Sequence, residues 1–204
     1  ADPAIRIVSL TVTEGGYFVD ASTGTFDVSH PDIAADIANP AAPNTVFGAI
    51  LAGLAARRAE NAAAFTVMSC DNLPGNGDVA RAAIMEMARA LDPDLAKWVA
   101  DNVSFPNGMV DRITPATGTR ERDLLQSQFG IKDNFPVFCE PFRQWVLEDE
   151  FVNGRPEFER VGVALTDDIH AFERMKIRLL NGGHAILAYP SALMGVEFVH
   201  DAMG

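Results

Sequence analysis

The sequence contains few cysteines and few cationic residues, and each shortage excludes a class of protein. Two cysteines, Cys70 and Cys139, stand far apart among 204 residues. We therefore expect neither a disulfide framework nor a zinc site, and interpret both as buried thiols in a reducing cytosol. Only 16 lysines and arginines face 28 acidic residues, giving a formal net charge of −12. Such a surface repels nucleic acid and anionic membranes, so we expect neither as a partner.

Long apolar runs and clustered histidines are also missing. No stretch approaches the roughly 18 apolar residues of a membrane-spanning helix, and no charged segment followed by an apolar one opens the chain, so we expect a soluble, cytoplasmic protein. The four histidines are scattered, which predicts no metal site: His30, His170, His184 and His200. Hydrophobic residues, in contrast, make up 48% of the chain, enough for a packed core.

The first half of the sequence alternates strand and helix patterns. Residues 5–13 and 65–70 are mostly apolar with many β-branched side chains, as is typical of strands buried on both faces of a parallel sheet. Between them, residues 46–63 predict an alanine-rich helix with Asn44 as its N-cap. This order predicts an α/β fold with a parallel sheet. Residues 102–105 predict a further short strand.

The pattern changes near residue 165. After a predicted short strand over residues 161–165, Thr166 has the position of a helix N-cap, and the remaining residues have an almost wholly helical pattern, interrupted at Tyr189-Pro190. We therefore predict two domains: an α/β domain over residues 1–165, and the start of a mostly helical domain over residues 166–204.

One glycine motif resembles a dinucleotide-binding turn. Residues 75–80 have the order Gly-x-Gly-x-x-Ala and precede a helical pattern. The gap between the predicted strand over residues 65–70 and the first glycine is long for that motif. We interpret it as a turn that begins a helix and not as the site of a pyrophosphate.

A lysine, an asparagine and a histidine lie close together in the helical segment. At about 100° per residue, Lys176 and His184 fall roughly 80° apart, with Asn181 some 60° further round. Side chains on a helix lean toward its N-terminus, so all three groups can share one pocket wall. Glu173, one turn earlier, either steers the lysine or pairs with it at the surface. The alternative is a solvated lysine, a helix-ending Asn-Gly-Gly and an isolated histidine.

Polar residues also follow the predicted strands, where ligands of parallel sheets collect. Glu14 comes directly before two glycines after the first strand, and Asn72 follows the next strand. By residue type alone, each is equally typical of a solvated turn. Asp111 and Arg112 are adjacent, as in a surface ion pair.

Four motifs, in order along the chain, resemble those of the mannitol dehydrogenase family of polyol-specific long-chain dehydrogenases. They are TEGGY at residues 13–17, SCDNLPGNG at 69–77, VSFPNGMVDRITP at 103–115 and KIRLLNGGH at 176–184. The family's corresponding patterns are Thr-Glu-Gly-Gly-Tyr, Cys-Asp-Asn-x-x-x-Asn-Gly, Val-Asp-Arg-Ile and Lys-x4-Asn-Gly-Gly-His. Because the four motifs cover nearly the whole chain, we expect a Rossmann-like domain followed by a helical one.

The resemblance implies metal-independent oxidation of a polyol to a ketose, with mannitol to fructose as the first expectation. Lys176 would be the general base, a role that burial favours because it disfavours the charged amine. Asn72 and Asn181 would donate to the developing alkoxide, and His184 would orient the substrate hydroxyls. Glu14 would border the active site and relay the released proton.

The resemblance also implies a cofactor, NAD or NADP. Asn72, Val110 and Asp111 would lie near the nicotinamide end. The family's glycine-rich nucleotide turn and the acidic residue that reads the ribose do not occur in this sequence, so the choice between NAD and NADP stays open. We therefore expect an internal fragment of a longer protein, a monomer or weak oligomer, that is inactive by itself.

Two alternatives remain open. A hexuronate reductase of the same family, such as a fructuronate reductase, needs an additional cationic group for the substrate carboxylate. A catalytically inert fragment or binding module would lack useful affinity for the cofactor.

Overall fold

The computed structural model describes residues 2–203, which form seven α-helices and five strands. The helices are α1 (Pro31–Ala38), α2 (Val46–Ala59), α3 (Asn76–Leu91), α4 (Pro93–Asn102), α5 (Thr119–Phe129), α6 (Ile169–Met175) and α7 (Gly182–Leu193). The strands are β1 (Ile7–Leu10), β2 (Thr66–Ser69), β3 (Gly108–Asp111), β4 (Gln144–Glu148) and β5 (Ala164–Thr166). A π-helical segment, Lys176–Asn181, joins α6 to α7.

The strands form a parallel pair and a mixed three-stranded sheet. Strands β1 and β2 are parallel, with Leu10 opposite Ser69. In the second sheet, β3 is antiparallel to β4, and β4 is parallel to β5. A Cβ atom on Gly108 would lie 3.6 Å from the Ser69 carbonyl oxygen, so β3 begins beside the end of β2. The ends of the first two strands and the start of the third therefore meet at one edge.

Helices cover the parallel pair and form the main core with it. All four residues of β2 are buried, as expected for a strand covered on both faces. The side chains of α2, α3 and α4 pack in the same cluster, with Phe47, Leu54, Ile84 and Val99 fully buried. Both the α/β class and the helical segment after it are confirmed, whereas the boundary between residues 165 and 166 stays a prediction.

Three predictions for the first 63 residues were wrong in detail. Helix α2 is capped by Thr45, whose hydroxyl accepts from the Gly48 backbone N–H, and not by Asn44. The helix ends at Ala59 and not near residue 63, because Asn61 adopts a left-handed conformation (φ 52°) that breaks the helical ladder. The first strand is also shorter than residues 5–13, spanning Ile7–Leu10.

The predicted strand over residues 102–105 is wrong as well. Helix α4 continues through Asn102, and the following residues are extended without forming a regular ladder. One bond resembles a strand pairing, since the Val67 N–H donates to the Ser104 carbonyl at 3.0 Å. The strand itself begins at Gly108.

The C-terminal helical segment differs from the prediction in three respects. Asp168, not Thr166, caps α6, because its carboxylate accepts from the Ala171 N–H. The segment Lys176–Asn181 is π-helical, and α7 runs through Pro190 without the predicted interruption. After Leu193 the chain turns at Gly195 (φ 78°), which prevents a further helix before the short turn Asp201–Met203. Within residues 2–203, no helix is long and apolar enough to cross a membrane.

Candidate active site

A buried amine lies where the helical segment meets the strand ends. The Lys176 residue is only 7% exposed. Its Nζ donates to Asn72 Oδ1 at 2.7 Å and to the Val110 carbonyl at 2.6 Å, and lies 3.8 Å from the Asp111 carboxylate. An amine, an amide and a carboxylate from three separate segments therefore converge on one point.

The orientation of Asn72 follows from the chemistry of its partner. An amide oxygen can only accept, and Asn72 Oδ1 faces the Lys176 amine, which donates an N–H bond to it. The Asn72 Nδ2 donor then points away from Lys176. Since Asn72 lines both of the clefts that Lys176 lines, that donor is available to a bound molecule.

The π-helical segment explains why Asn181 reaches the same cleft. The Gly182 N–H donates to the Ile177 carbonyl five residues earlier, which is the π pattern. Residues five apart then lie on successive turns of the same side, whereas α-helical spacing would rotate Asn181 about 140° from Lys176. The predicted angles, based on 100° per residue, are wrong here because the segment is not α-helical.

A cleft of about 130 Å³ lies where the helical segment meets the strand ends, and most of the predicted residues line it. Asn72, Val110, Lys176 and Asn181 line it, together with residues of the β2–α3 loop. A second cleft of about 620 Å³ also has Lys176 in its wall and includes Asp111. Lys176 therefore lines two clefts.

Two predicted residues lie apart from this group. Glu14 is exposed at the start of the turn Glu14–Tyr17 and lines neither cleft. His184 is exposed on α7, and its side chain makes no hydrogen bond within residues 2–203. Their predicted roles as proton relay and substrate contact stay predictions.

The strand ends are held by a cluster that we call the Asp71 cluster, formed by Asp71, Tyr17 and Ser69. The Asp71 carboxylate accepts from the Val12 and Thr13 N–H groups at 3.0 and 2.9 Å and from the Tyr17 hydroxyl at 2.8 Å. The Tyr17 oxygen also lies 2.5 Å from Ser69 Oγ. Burial raises the pKa of the Tyr17 phenol, so it remains a donor at neutral pH.

Asn76 is an essential structural residue that the sequence reasoning missed. Its side chain is fully buried, and Nδ2 donates to the carbonyls of Asp71 and Gly108, each at 2.9 Å. Its Oδ1 accepts from the Gly108 N–H at 2.8 Å. The residue therefore joins the loop after β2 to the start of β3, immediately before Asn72 and Val110. Its place in the Cys-Asp-Asn-x-x-x-Asn-Gly motif and between two glycines could have suggested a special role.

Glu173 neither steers Lys176 nor pairs with it, which were the two contacts that the sequence suggested. It lies one turn before Lys176 and is buried, but its carboxylate accepts from the Gly75 N–H at 2.8 Å and pairs with His170 Nδ1 at 2.9 Å. The pairing with Glu173 raises the pKa of His170. Glu173 therefore attaches α6 to the N-terminus of α3.

These contacts explain the glycine motif at residues 75–80. At the N-terminus of α3, the Gly75 N–H is taken by Glu173 and the Asp78 N–H by Asn107 Oδ1 at 3.0 Å. A Cβ atom on Gly77 would overlap the Phe105 carbonyl oxygen. The glycine therefore permits close approach of two protein backbones, and two N–H groups at the helix N-terminus are bonded to protein side chains.

The sequence predicted that both cysteines are buried, and this prediction is wrong for Cys139. Cys70 is half-buried, and burial raises the pKa of its thiol, whereas Cys139 is exposed because it lies in a loop that packs little. Within residues 2–203, no group of three metal-binding side chains converges.

Fold and site together define a class: a Rossmann-like α/β domain whose strand ends face a buried lysine on a following helical segment. Two family models match the chain, the mannitol dehydrogenase Rossmann domain over residues 1–160 and the mannitol dehydrogenase C-terminal domain over residues 168–204. The chain belongs to the mannitol dehydrogenase family, which confirms the resemblance seen in the four motifs.

Individual relatives share both sequence and structure with the chain. A mannitol 2-dehydrogenase of Cereibacter sphaeroides is 65% identical over 203 residues, covering 100% of this chain and 42% of that protein. A polyol:NADP oxidoreductase of Gluconobacter oxydans is 52% identical, covering 99% and 42%. The Pseudomonas fluorescens mannitol 2-dehydrogenase, solved as a ternary complex with NAD and D-mannitol, is 56% identical with a TM-score of 0.87, covering 99% and 41%. The chain thus spans about 42% of the length of the relatives it matches.

Proposed function

We propose that these residues belong to a metal-independent, NAD(P)-dependent polyol dehydrogenase that oxidises a polyol to a ketose, with mannitol to fructose as the first reaction to test. The observation that carries the proposal is the Lys176 amine, buried at the domain junction with Asn72 Oδ1 and the Val110 carbonyl as acceptors. Similarity to mannitol 2-dehydrogenases over the whole chain supports it.

In this proposal Lys176 is the general base. A neutral amine has two N–H bonds and one lone pair, and two acceptors lie 2.7 and 2.6 Å from Nζ. When both N–H bonds are engaged, the lone pair is left for the proton of the substrate hydroxyl. Loss of this proton to Nζ develops negative charge on the substrate oxygen, while the adjacent C–H bond gives up its electron pair as hydride.

Two amides stabilise the developing alkoxide. Asn72 Nδ2 is turned away from Lys176, and Asn181 lines the same cleft. A single donor of this kind is worth about 10²–10³ in turnover in other enzymes. His184, at the exposed start of α7, orients the remaining substrate hydroxyls. Glu14, at the solvent edge, receives the proton from the base and passes it to water.

The cofactor supplies the hydride acceptor when bound, and the strand ends suit its nicotinamide end. Val110 and Asp111 end β3 beside Lys176, and Asn72 presents an amide donor, which matches the polar carboxamide. The N-terminus of α3 suits the pyrophosphate poorly, since the N–H groups of Gly75 and Asp78 are already bonded to Glu173 and Asn107. NAD is the proposed cofactor, and the name of the Gluconobacter relative makes NADP the second candidate.

Replacement of the base tests the proposal. In the natural protein that contains these residues, Lys176→Ala should lower kcat for mannitol oxidation by about 10²–10⁴, the usual contribution of a general base, without unfolding the protein. Lys97→Ala is the matched control, because that lysine is exposed and pairs only with Asp101. Turnover and circular dichroism are measured for both. Retention of activity by Lys176→Ala removes this residue as the base.

The substrate is assigned by a panel of mannitol, arabinitol, sorbitol and fructuronate, each with NAD(H) and NADP(H). If the protein prefers fructuronate, it is a hexuronate reductase and the proposed polyol dehydrogenase activity is wrong. A small-molecule substrate, a cytoplasmic location and a monomeric or weakly associated state complete the proposal. Size-exclusion chromatography with light scattering measures the last of these.

A further inference from the structure

The turn that carries Glu14 is strained at the preceding residue. Thr13 has φ 62° and ψ 168°, a backbone conformation that is open essentially to glycine and costs other residues about 1–3 kcal/mol. Such conformations persist only where neighbouring groups hold them. The group that holds this one is Asp71, whose carboxylate accepts from the Thr13 N–H and from the Val12 N–H.

Asp71 itself is fixed on both sides. Its residue is 8% exposed, and the buried Tyr17 hydroxyl donates to the same carboxylate. Its backbone carbonyl accepts from Asn76 Nδ2 and from the Leu73 N–H. Glu14 follows Thr13, and Asn72 follows Asp71. One carboxylate therefore connects the turn that carries Glu14 to the loop that carries Asn72.

We propose that Asp71 is a positioning residue, which holds the strained turn at Thr13 so that Glu14 stays beside the Asn72 loop. The role of Glu14 rests on the proposed polyol dehydrogenase function, but the hold of Asp71 on the turn at Thr13 can be measured without an activity assay. The three donors to the Asp71 carboxylate all come from the protein, so in this proposal the residue acts through the groups that it holds.

The chain offers a closely matched control carboxylate. Asp36 is 2% exposed and accepts from two consecutive backbone N–H groups, those of Asn44 and Thr45, and from the Thr45 hydroxyl. Like Asp71, it accepts from two backbone N–H groups and one hydroxyl, but it belongs to α1 and holds the residues just before α2. Asp71→Asn and Asp36→Asn each replace an acceptor oxygen by an N–H donor facing other donors.

Two measurements on the natural protein test the proposal. Hydrogen exchange of the peptide over residues 12–17 should rise about tenfold in Asp71→Asn and stay unchanged in Asp36→Asn, since local opening governs exchange. The value of kcat should fall about tenfold or more in Asp71→Asn with little change in KM, and stay within about twofold in Asp36→Asn, although both variants melt at lower temperature.

Coupling to Glu14 separates positioning from general destabilisation. In a Glu14→Gln background, Asp71→Asn should lower kcat by less than about twofold further, because both changes remove the same step. Independent, multiplying losses would overturn the proposal, as would unchanged exchange at residues 12–17. If the wild type oxidises no polyol, the proposed function fails, while the exchange result alone still supports or overturns the hold of Asp71 on the turn.

Discussion

Replacement of Asn76 should separate the two strand ends that Lys176 contacts. In Asn76→Ala, three hydrogen bonds of 2.8–2.9 Å disappear from a fully buried site. The Asp71 carbonyl keeps a partner in the Leu73 N–H at 3.0 Å, whereas the Gly108 N–H loses the amide oxygen that it donates to. The damage is therefore concentrated at Gly108, two residues before Val110.

The size of the effect follows from these bonds. A net loss of about 1 kcal/mol for each of three hydrogen bonds, with a further desolvation cost for the Gly108 N–H, gives about 3–4 kcal/mol. For a domain of this size, 1 kcal/mol shifts Tm by about 2–4 °C, so a decrease of roughly 6–16 °C is expected. Asn76→Asp should be at least as damaging, because a carboxylate would face the Asp71 and Gly108 carbonyls at the positions where Nδ2 now donates.

Thermal unfolding by circular dichroism and kcat for mannitol oxidation are the two readouts. Asn102→Ala is the control, since that exposed side chain donates only to the Trp98 carbonyl, and it should change stability by less than about 0.5 kcal/mol. We expect kcat of the folded Asn76→Ala variant to fall, because Asn72 and Val110 no longer lie at fixed distances from Lys176. A Tm within about 2 °C of the wild type, outside the range expected from these bonds, would refute the reasoning.

Two further predictions concern glycine and histidine positions. Gly77→Ala should destabilise the protein by more than about 3 kcal/mol, because the new Cβ overlaps the rigid Phe105 carbonyl. In Gly183→Ala the new Cβ meets no atom within 4 Å, so this variant should stabilise α7 by about 1 kcal/mol. Urea unfolding measures both variants, and equal effects would contradict the close approach at residue 77. The raised pKa of His170 means that its pairing with Glu173 stabilises the protein fully below the unfolded pKa of about 6.5, and that this stabilisation is lost as pH rises through the folded pKa. The Tm difference between wild type and His170→Ala should therefore shrink from about pH 5.5 to about pH 8.5. A difference that grows with pH would contradict the ion pair.

The sequence predicted the elements well where periodicity and burial act together. The strand over residues 65–70 and the helix after the glycine motif were correct in type, because apolar side chains there have the spacing of buried elements. Ends were less predictable, since Thr45 and Asn44 are both good caps and only tertiary contacts decide between them. Pro190 did not break α7, because its φ suits a helix and the helix ends one turn later.

The site could be predicted only in part. The motifs identified Lys176 and Asn72, and these side chains lie 2.7 Å apart although 104 positions separate them. Residue type could not reveal that Asn76 ties the strand ends or that Glu173 binds Gly75, because both depend on which backbone groups happen to lie opposite. The strain at Thr13 was equally invisible, since threonine does not favour positive φ.

The extra residue in the π-helical turn changes the phase of everything after it. One added residue rotates the following helix by about 100° relative to an uninterrupted one, without bending the rod sharply or adding a loop. Asn181 and α7 after it therefore turn a different side toward the cleft from the one that an uninterrupted continuation of α6 would present. A single insertion or deletion between Lys176 and Asn181 would thus be a simple evolutionary route to exchange the amide that faces the cleft for a neighbouring side chain.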